Sequence, residues 1–215
     1  YPAGIGWYRK TFDYDGDDAD LLTSVYFEGV YMNAQVFING HDLGVHPYGY
    51  TSFFYDLTPY LKKGENVLAV RVDNSQQKNW YSGSGIYRNV KLIRTPRLHF
   101  APWGIAIHTT TEGSLTQVCV DATVVNEQKT TASFNLNANV LYKGATQASQ
   151  QQPVTLEAGE VRSIRLQIPL ENARLWSPET PELYTLTCSL EQGGTDAVTE
   201  TFGVRTLEWD ARKGL

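Results

Sequence analysis

Apolar and polar residues alternate with a period of two along most of this chain, and turn residues repeatedly interrupt the alternation. In the first half the pattern predicts strands over Trp7–Tyr14, Leu21–Phe27, Ala34–Ile38, Leu43–Val45, Ser52–Tyr55, Val67–Val72 and Asn89–Arg94. Asn39-Gly40 is the strongest short hairpin signal, because both residues tolerate the left-handed backbone that a tight turn requires. The acidic run from Asp15 to Asp20 reads as a solvated turn, and Asp56–Leu61 as a short helical turn ended by Lys62, Lys63 and Gly64.

Two prolines bracket Arg97–Ala101 and predict a boundary around Thr95–Pro102. Beyond it lies a second series of strands: Ile105–Thr109, Thr116–Val125, Ala132–Tyr142, Val154–Leu156, Arg162–Ile168, Leu183–Glu191 and Val198–Val204. Turn signals such as Glu157-Ala158-Gly159 separate them, and this density of strands fits an immunoglobulin-like sandwich. Neither half holds a helical pattern of ordinary length or an internal repeat. The expected fold class is all-β, two tandem β-sandwiches.

One stretch abandons the alternation. From Asp73 to Arg88 the chain offers Asp73, Asn74, Asn79, Trp80 and Tyr81 among glycines and serines, where a hairpin would need only a short turn. Long loops of this kind are functional or disordered, and two aromatics argue against disorder. Amides and aromatic rings together suit a sugar: hydroxyls need directional partners, while the C–H face of a pyranose packs on a ring. The bland alternative is a surface loop anchored by two buried aromatics.

Composition narrows the function by exclusion. The chain has 215 residues, 41% hydrophobic and 19% charged, with a net charge of −5. That charge gives no reason to expect a nucleic-acid or anionic-membrane partner. No apolar run is long enough to span a bilayer as a helix. No signal peptide is visible, which carries no weight because Tyr1 is not an initiator methionine. Cys119 and Cys188 fall on differently oriented strand faces and are expected to be free thiols. His41, His46, His99 and His108 lack metal-ligand spacing, and no phosphate loop, nucleophile elbow or facing carboxylate pair is evident. On its residues alone, the chain is expected to bind or scaffold rather than to catalyse.

Several phrases nevertheless form an ordered series. GWYRKTF is followed by FEGVYMNAQVFINGHDLGVHPYGYTSFFYDLTPYLKKGENVLAVRVDN, then WYSGSGIYRNVKLI, and later ARLWSPETPELYTL and FGVRTLEW. The series resembles the N-terminal sugar-binding domain and the immunoglobulin-like second domain of glycoside hydrolase family 2, which includes β-galactosidases, β-glucuronidases and β-mannosidases. The resemblance implies a galactose-binding-like jelly roll over residues 1–96 and an immunoglobulin-like sandwich over 97–205. Residues 206–215 would begin the connection to a (β/α)8 barrel that carries both catalytic glutamates in the family. No catalytic residue is therefore expected in this chain.

The resemblance also locates a site. In family β-galactosidases the loop before the Ser-Gly-Ile-aromatic-Arg phrase reaches toward the sugar pocket, and one bacterial member has an aspartate there that touches galactose and sodium. Counting back from Ser84-Gly85-Ile86-Tyr87-Arg88, that position is Asn79. An amide can bond a hydroxyl but lacks the charge that helps hold a cation, so neither metal nor cofactor is expected. Arg88 and Arg205 read as structural braces, and Trp176 as a packed anchor. The implied function is the non-catalytic N-terminal part of a retaining, β-galactosidase-like β-glycosidase, with Asp73, Asn74, Asn79, Trp80 and Tyr81 at the pocket rim.

Its partners would be a carbohydrate substrate, the C-terminal catalytic barrel and, in assembly, further copies of the chain. The alternatives are a stand-alone carbohydrate-binding module or a purely structural pair of sandwiches. The sugar and the compartment are left open; periplasm or secretion follows only by analogy with polysaccharide-degrading enzymes.

Overall fold

The computed structural model describes residues 4–16, 20–75, 83–191, 196–207 and 210–212. It divides into two compact units, Tyr1–Thr95 and Pro96–Leu215. Each is a β-sandwich whose strands follow the period-two burial expected of two packed sheets.

The first unit contains β1 (Ile5–Tyr14), β2 (Leu21–Phe27), β3 (Val30–Tyr31), β4 (Ala34–Ile38), β5 (His41–His46) and β6 (Phe53–Asp56). A single 3-10 turn at Thr58–Tyr60 then leads into β7 (Gly64–Asp73), β8 (Gly85–Ile86) and β9 (Val90–Pro96). A four-stranded sheet in the order β1-β7-β4-β5 faces a three-stranded sheet in the order β6-β2-β9, and β3 pairs with β8 as a small ribbon. Between the sheets lie Val25, Phe27, Val36, Ile38, Val70 and Val72, all almost fully buried. The same alternation explains β7, where every second residue from Asn66 to Val72 is buried.

The β4–β5 hairpin turns on Asn39 and Gly40, with φ of 49° and 87°. Both lie in the left-handed region, as the Asn-Gly signal requires. Asn39 does more than turn the chain. Its Oδ1 accepts a hydrogen bond from the Val67 amide (2.9 Å), and its Nδ2 donates to Asn66 Oδ1 (2.8 Å). Asn66 is fully buried, and its Nδ2 in turn donates to the carbonyls of Lys62 (2.7 Å) and Gly64 (2.8 Å).

The second unit contains β10 (Leu98–Glu112), β11 (Leu115–Asn126), β12 (Ala132–Tyr142), β13 (Ala145–Leu156), β14 (Val161–Glu171), β15 (Tyr184–Glu191) and β16 (Ala197–Phe202). Sheets in the orders β10-β11-β14 and β13-β12-β15-β16 enclose one core. Seven strands split three and four give the immunoglobulin-like arrangement.

Three local differences from the sequence pattern have physical reasons. Leu98–Ala101 and Ile105–Thr109 are not separate pieces but parts of β10, joined across a bulge between Phe100 and Ile105 where Trp103 has φ of 54°. The strand expected at Val154–Leu156 begins nine residues earlier, at Ala145. Its first part, ATQASQQQ, is a polar edge with little hydrophobic signal, and an edge strand also tolerates Pro153. The two-residue strands β3 and β8 are too short to have any periodicity.

Both cysteines are free and buried. Cys188 lies fully in the second core, whereas Cys119 is covered on the opposite face of β11, beside its register partners His108 and Gln167. Burial pushes the Cys188 thiol up to about 12. At neutral pH it should therefore resist a thiol reagent in the folded chain and react after denaturation. Rapid labelling of Cys188 under native conditions would contradict this packing.

A buried asparagine also closes the second unit. Asn126 donates from Nδ2 to the carbonyls of Thr130 (3.0 Å), Leu156 (3.2 Å) and Glu157 (2.9 Å), while its Oδ1 accepts from the Gln128 amide (3.0 Å). Asn126→Ala would leave several backbone groups without partners and is expected to destabilise this unit by at least about 2 kcal/mol. Denaturant unfolding checks this; a loss below about 0.5 kcal/mol would mean that water replaces the side chain at little cost.

Candidate functional site

At one end of the first sandwich, four loops are tied together by backbone and side-chain hydrogen bonds. The Asp73 amide donates to the Met32 carbonyl (3.0 Å), and Asn33 Nδ2 donates to the Asp73 carbonyl (3.0 Å). The Asn33 amide reaches Pro47 (3.2 Å), so the loop after β5 joins the same cluster. Tyr87 completes it from the β8–β9 connection, donating from its hydroxyl to the Gly49 carbonyl (2.8 Å).

Asp73 ends β7 with its carboxylate already committed. Oδ1 accepts from the Ser75 hydroxyl (2.6 Å) and the Ser75 amide (3.0 Å), and Oδ2 pairs with Arg71 Nη2 (3.0 Å). The Ser75 hydroxyl, then the Ser75 amide, and the Arg71 guanidinium hold its pKa below the ordinary carboxylate range. The side chain keeps 22% of its surface exposed. Such a group is an ionised acceptor for a hydroxyl, the opposite of a catalytic acid, whose pKa must be raised.

Asn74 is built differently. It is only 2% exposed, its Oδ1 accepts from the Gly4 amide (2.9 Å), and its own amide donates to the Gly4 carbonyl (3.1 Å). These bonds fasten the chain entering β1 to the base of the loop. Asn79, Trp80 and Tyr81 lie outside the described residues.

The folded chain adds aromatics that sequence reading did not select. Tyr48 and Tyr50 are 56% and 61% exposed, and their rings meet edge-to-face at 5.6 Å. Tyr31 sits behind Tyr50 at 5.3 Å. Gly49 between them leaves no room for a side chain, since a Cβ there would run into the Tyr31 ring. The phrase PYGY, two tyrosines flanking a glycine just after a strand, is the signal that could have found them. Together these loops offer ring faces, hydroxyls and one fixed carboxylate, the groups that grip a polyol.

The histidines take packing positions. His41 rests on Tyr60 (5.0 Å), and His46 stacks on Phe53 (4.2 Å) and meets Thr51 Oγ1 (3.0 Å). Among the described residues, no three His, Cys, Asp or Glu side chains gather closely enough to hold a metal ion. In the second unit Trp176 is an anchor: its amide donates to the Val204 carbonyl (2.8 Å), and the Arg205 guanidinium lies 5.0 Å over its ring.

Because Asp73 is depressed in the folded chain, its stabilising contacts are intact above the unfolded carboxylate pKa. They are lost as pH falls through the lower folded value. Ser75→Ala removes the largest cause, so the Asp73 midpoint should move upward in an NMR titration. No upward movement would assign the shift to the Ser75 backbone amide and Arg71, which the substitution leaves in place.

Comparison with known proteins covers almost the whole chain. The model of glycosyl hydrolases family 2, sugar binding domain, matches residues 2–96, and the model of glycosyl hydrolases family 2 matches residues 100–205. The β-galactosidase BoGH2A of Bacteroides ovatus is 44% identical over 221 aligned residues, which take in all of this chain and 26% of that protein. A β-glucuronidase of Bacteroides fragilis is 29% identical over 233, with all of this chain and 33% of that protein covered. The crystal structure of a glycosyl hydrolase family 2 member from Bacteroides cellulosilyticus superposes with a TM-score of 0.93 at 35% identity, covering 98% of this chain and 30% of that one. The chain thus spans between 26% and 33% of these two curated relatives.

Proposed function

The chain belongs to glycosyl hydrolases family 2, and from that premise we propose that it is the non-catalytic N-terminal part of a retaining β-glycosidase resembling the β-galactosidases. The observation that carries this reading is the tandem match of two family models, in order, within a chain that spans only 26% of its β-galactosidase relative. Residues 1–96 would form the jelly-roll sugar-binding domain, 97–205 the immunoglobulin-like domain, and 206–215 the start of a connection to a catalytic barrel. The parent enzyme would cleave a terminal β-glycoside through a glycosyl-enzyme intermediate, with both carboxyl groups supplied outside this chain.

In this reading the first sandwich shapes one rim of the sugar pocket. Asp73, ionised and held by Ser75 and Arg71, accepts a hydrogen bond from a sugar hydroxyl. Asn79, Trp80 and Tyr81, which follow it in the chain, would supply amide and ring contacts. Asn74 contributes from below, because its bonds to Gly4 fix the base from which that loop springs. The second sandwich is a rigid spacer between this rim and the barrel.

The test compares the 215-residue chain with the parent enzyme on nitrophenyl β-galactoside and β-glucuronide. The chain alone is expected to show no turnover. In the parent, Trp80→Ala should raise KM roughly tenfold or more while kcat changes less, as expected when ground-state binding surface is removed. Turnover by the chain that disappears on mutating one of its own carboxylates would refute the proposal. Saturable binding of free sugar by the chain, weakened by Trp80→Ala, would instead make it a stand-alone carbohydrate-binding module.

A further inference from the structure

The outer face of the four-stranded sheet carries an aromatic pair that lies outside the core. Trp7 of β1 is 61% exposed, and its ring lies 5.8 Å from that of Phe37 of β4, with the two planes inclined by 29°. β7 runs between these strands, which therefore stand about 10 Å apart, so both rings lean across it. Ala69 of β7, the register partner of Phe37, permits this because its side chain is only a methyl group.

Polar side chains border the pair. Arg9 follows Trp7 by two residues on the same face of β1, and it forms no ion pair among the described residues. Arg71, the register partner of Trp7, is held by Asp73 (3.0 Å), and Gln35 donates from Nε2 to Asp42 (2.7 Å). Around the rings Arg9 and Arg71 balance Asp42 and Asp73, so no net charge draws an ion to this face. A ring surface with directional polar neighbours suits a sugar, whose C–H face packs on the ring while its hydroxyls meet the donors.

The position of the pair decides which sugar it meets. Asp73 and Arg71 share the outer face of β7, as their contact requires, and Trp7 lies across from Arg71. From Asp73 the indole is therefore two residues along β7, about 7 Å, and one strand across, about 5 Å. That places it past a sugar whose hydroxyl is held by Asp73 and within reach of the next sugars in the same chain.

We propose that Trp7, backed by Phe37, is a platform for a sugar ring beyond the one held at the rim, so that the substrate is an oligosaccharide chain. The inference rests on the glycosidase reading and deepens it by naming the substrate class. Trp7 stacks on the distal ring and Arg9 donates to its hydroxyls. The contact is one of binding alone; no bond is made or broken there.

The test compares two substrates of the parent enzyme: the nitrophenyl β-glycoside that it cleaves, and a tetrasaccharide with the same terminal sugar in β-linkage. Trp7→Leu keeps apolar bulk but removes the ring. It should raise KM for the tetrasaccharide at least about fivefold and leave that for the nitrophenyl glycoside within about twofold. Trp7→Tyr keeps a ring and should hold the tetrasaccharide KM within about twofold of the parent value. An unchanged tetrasaccharide KM in Trp7→Leu would overturn the proposal, as would a Tyr variant no better than the Leu variant. Equal losses on both substrates would overturn it too, assigning the face to packing against protein. In each of these cases the parent still cleaves the nitrophenyl glycoside and the glycosidase reading stands. A parent that cleaves neither substrate ends that reading, and this inference with it.

Discussion

The structure depends on satisfying backbone hydrogen bonds where the strand ladders stop. Sandwich cores accept alternating side chains readily, but the turns that join strands leave amides and carbonyls facing inward, and an unpaired buried group costs about as much as a lost hydrogen bond. Here buried asparagines supply the missing partners. Asn66, with Asn39, closes the chain around Lys62–Gly64 in the first unit, and Asn126 closes three carbonyls in the second. A single side-chain amide both donates and accepts, so each can stand in for a short missing piece of strand.

The same device positions the candidate site. Asn74 spends its carbonyl oxygen on Gly4, and Asn33 spends its amide on Asp73, so the loop that leaves β7 starts from a fixed base. Asp73 is then free to present a pre-ionised carboxylate whose orientation is set by Ser75 and Arg71. Tyr48 and Tyr50 lie on a loop bound to this base through Asn33 and Tyr87, and Tyr31 ends β3 beside Tyr50. Rigid support beneath a polar rim is what sugar recognition requires, because hydroxyl groups are distinguished by direction.

Strand edges show the complementary side of the same constraint. The edge at β13 is polar, rich in glutamine and carries Pro153, so it resists pairing by its own composition. The edge at β1 is regular and sits beside an apolar opening, with Lys10 as its one inward charge. Two edges in one chain thus differ: one resists pairing by its own sequence, while the other is regular and lies beside apolar side chains.

Much of the fold was legible in the sequence. β2, β4 and β12 coincide with their predicted spans because alternation is strict where one face is buried, and the Asn39-Gly40 turn follows from local backbone preference alone. The candidate loop was singled out by its composition, which departs sharply from that pattern, and its Asn79, Trp80 and Tyr81 lie outside the described residues. What the sequence could not specify is the use of each side chain over long range. Asn74 reads as a ligand-type amide until tertiary packing sets it against Gly4, 70 residues away, and Tyr48 and Tyr50 gain significance only when folding sets their loop beside Asp73. Periodicity is a local property of the chain, fixed by strand geometry. Hydrogen-bond partnership and the closure of an edge are settled only when distant segments meet.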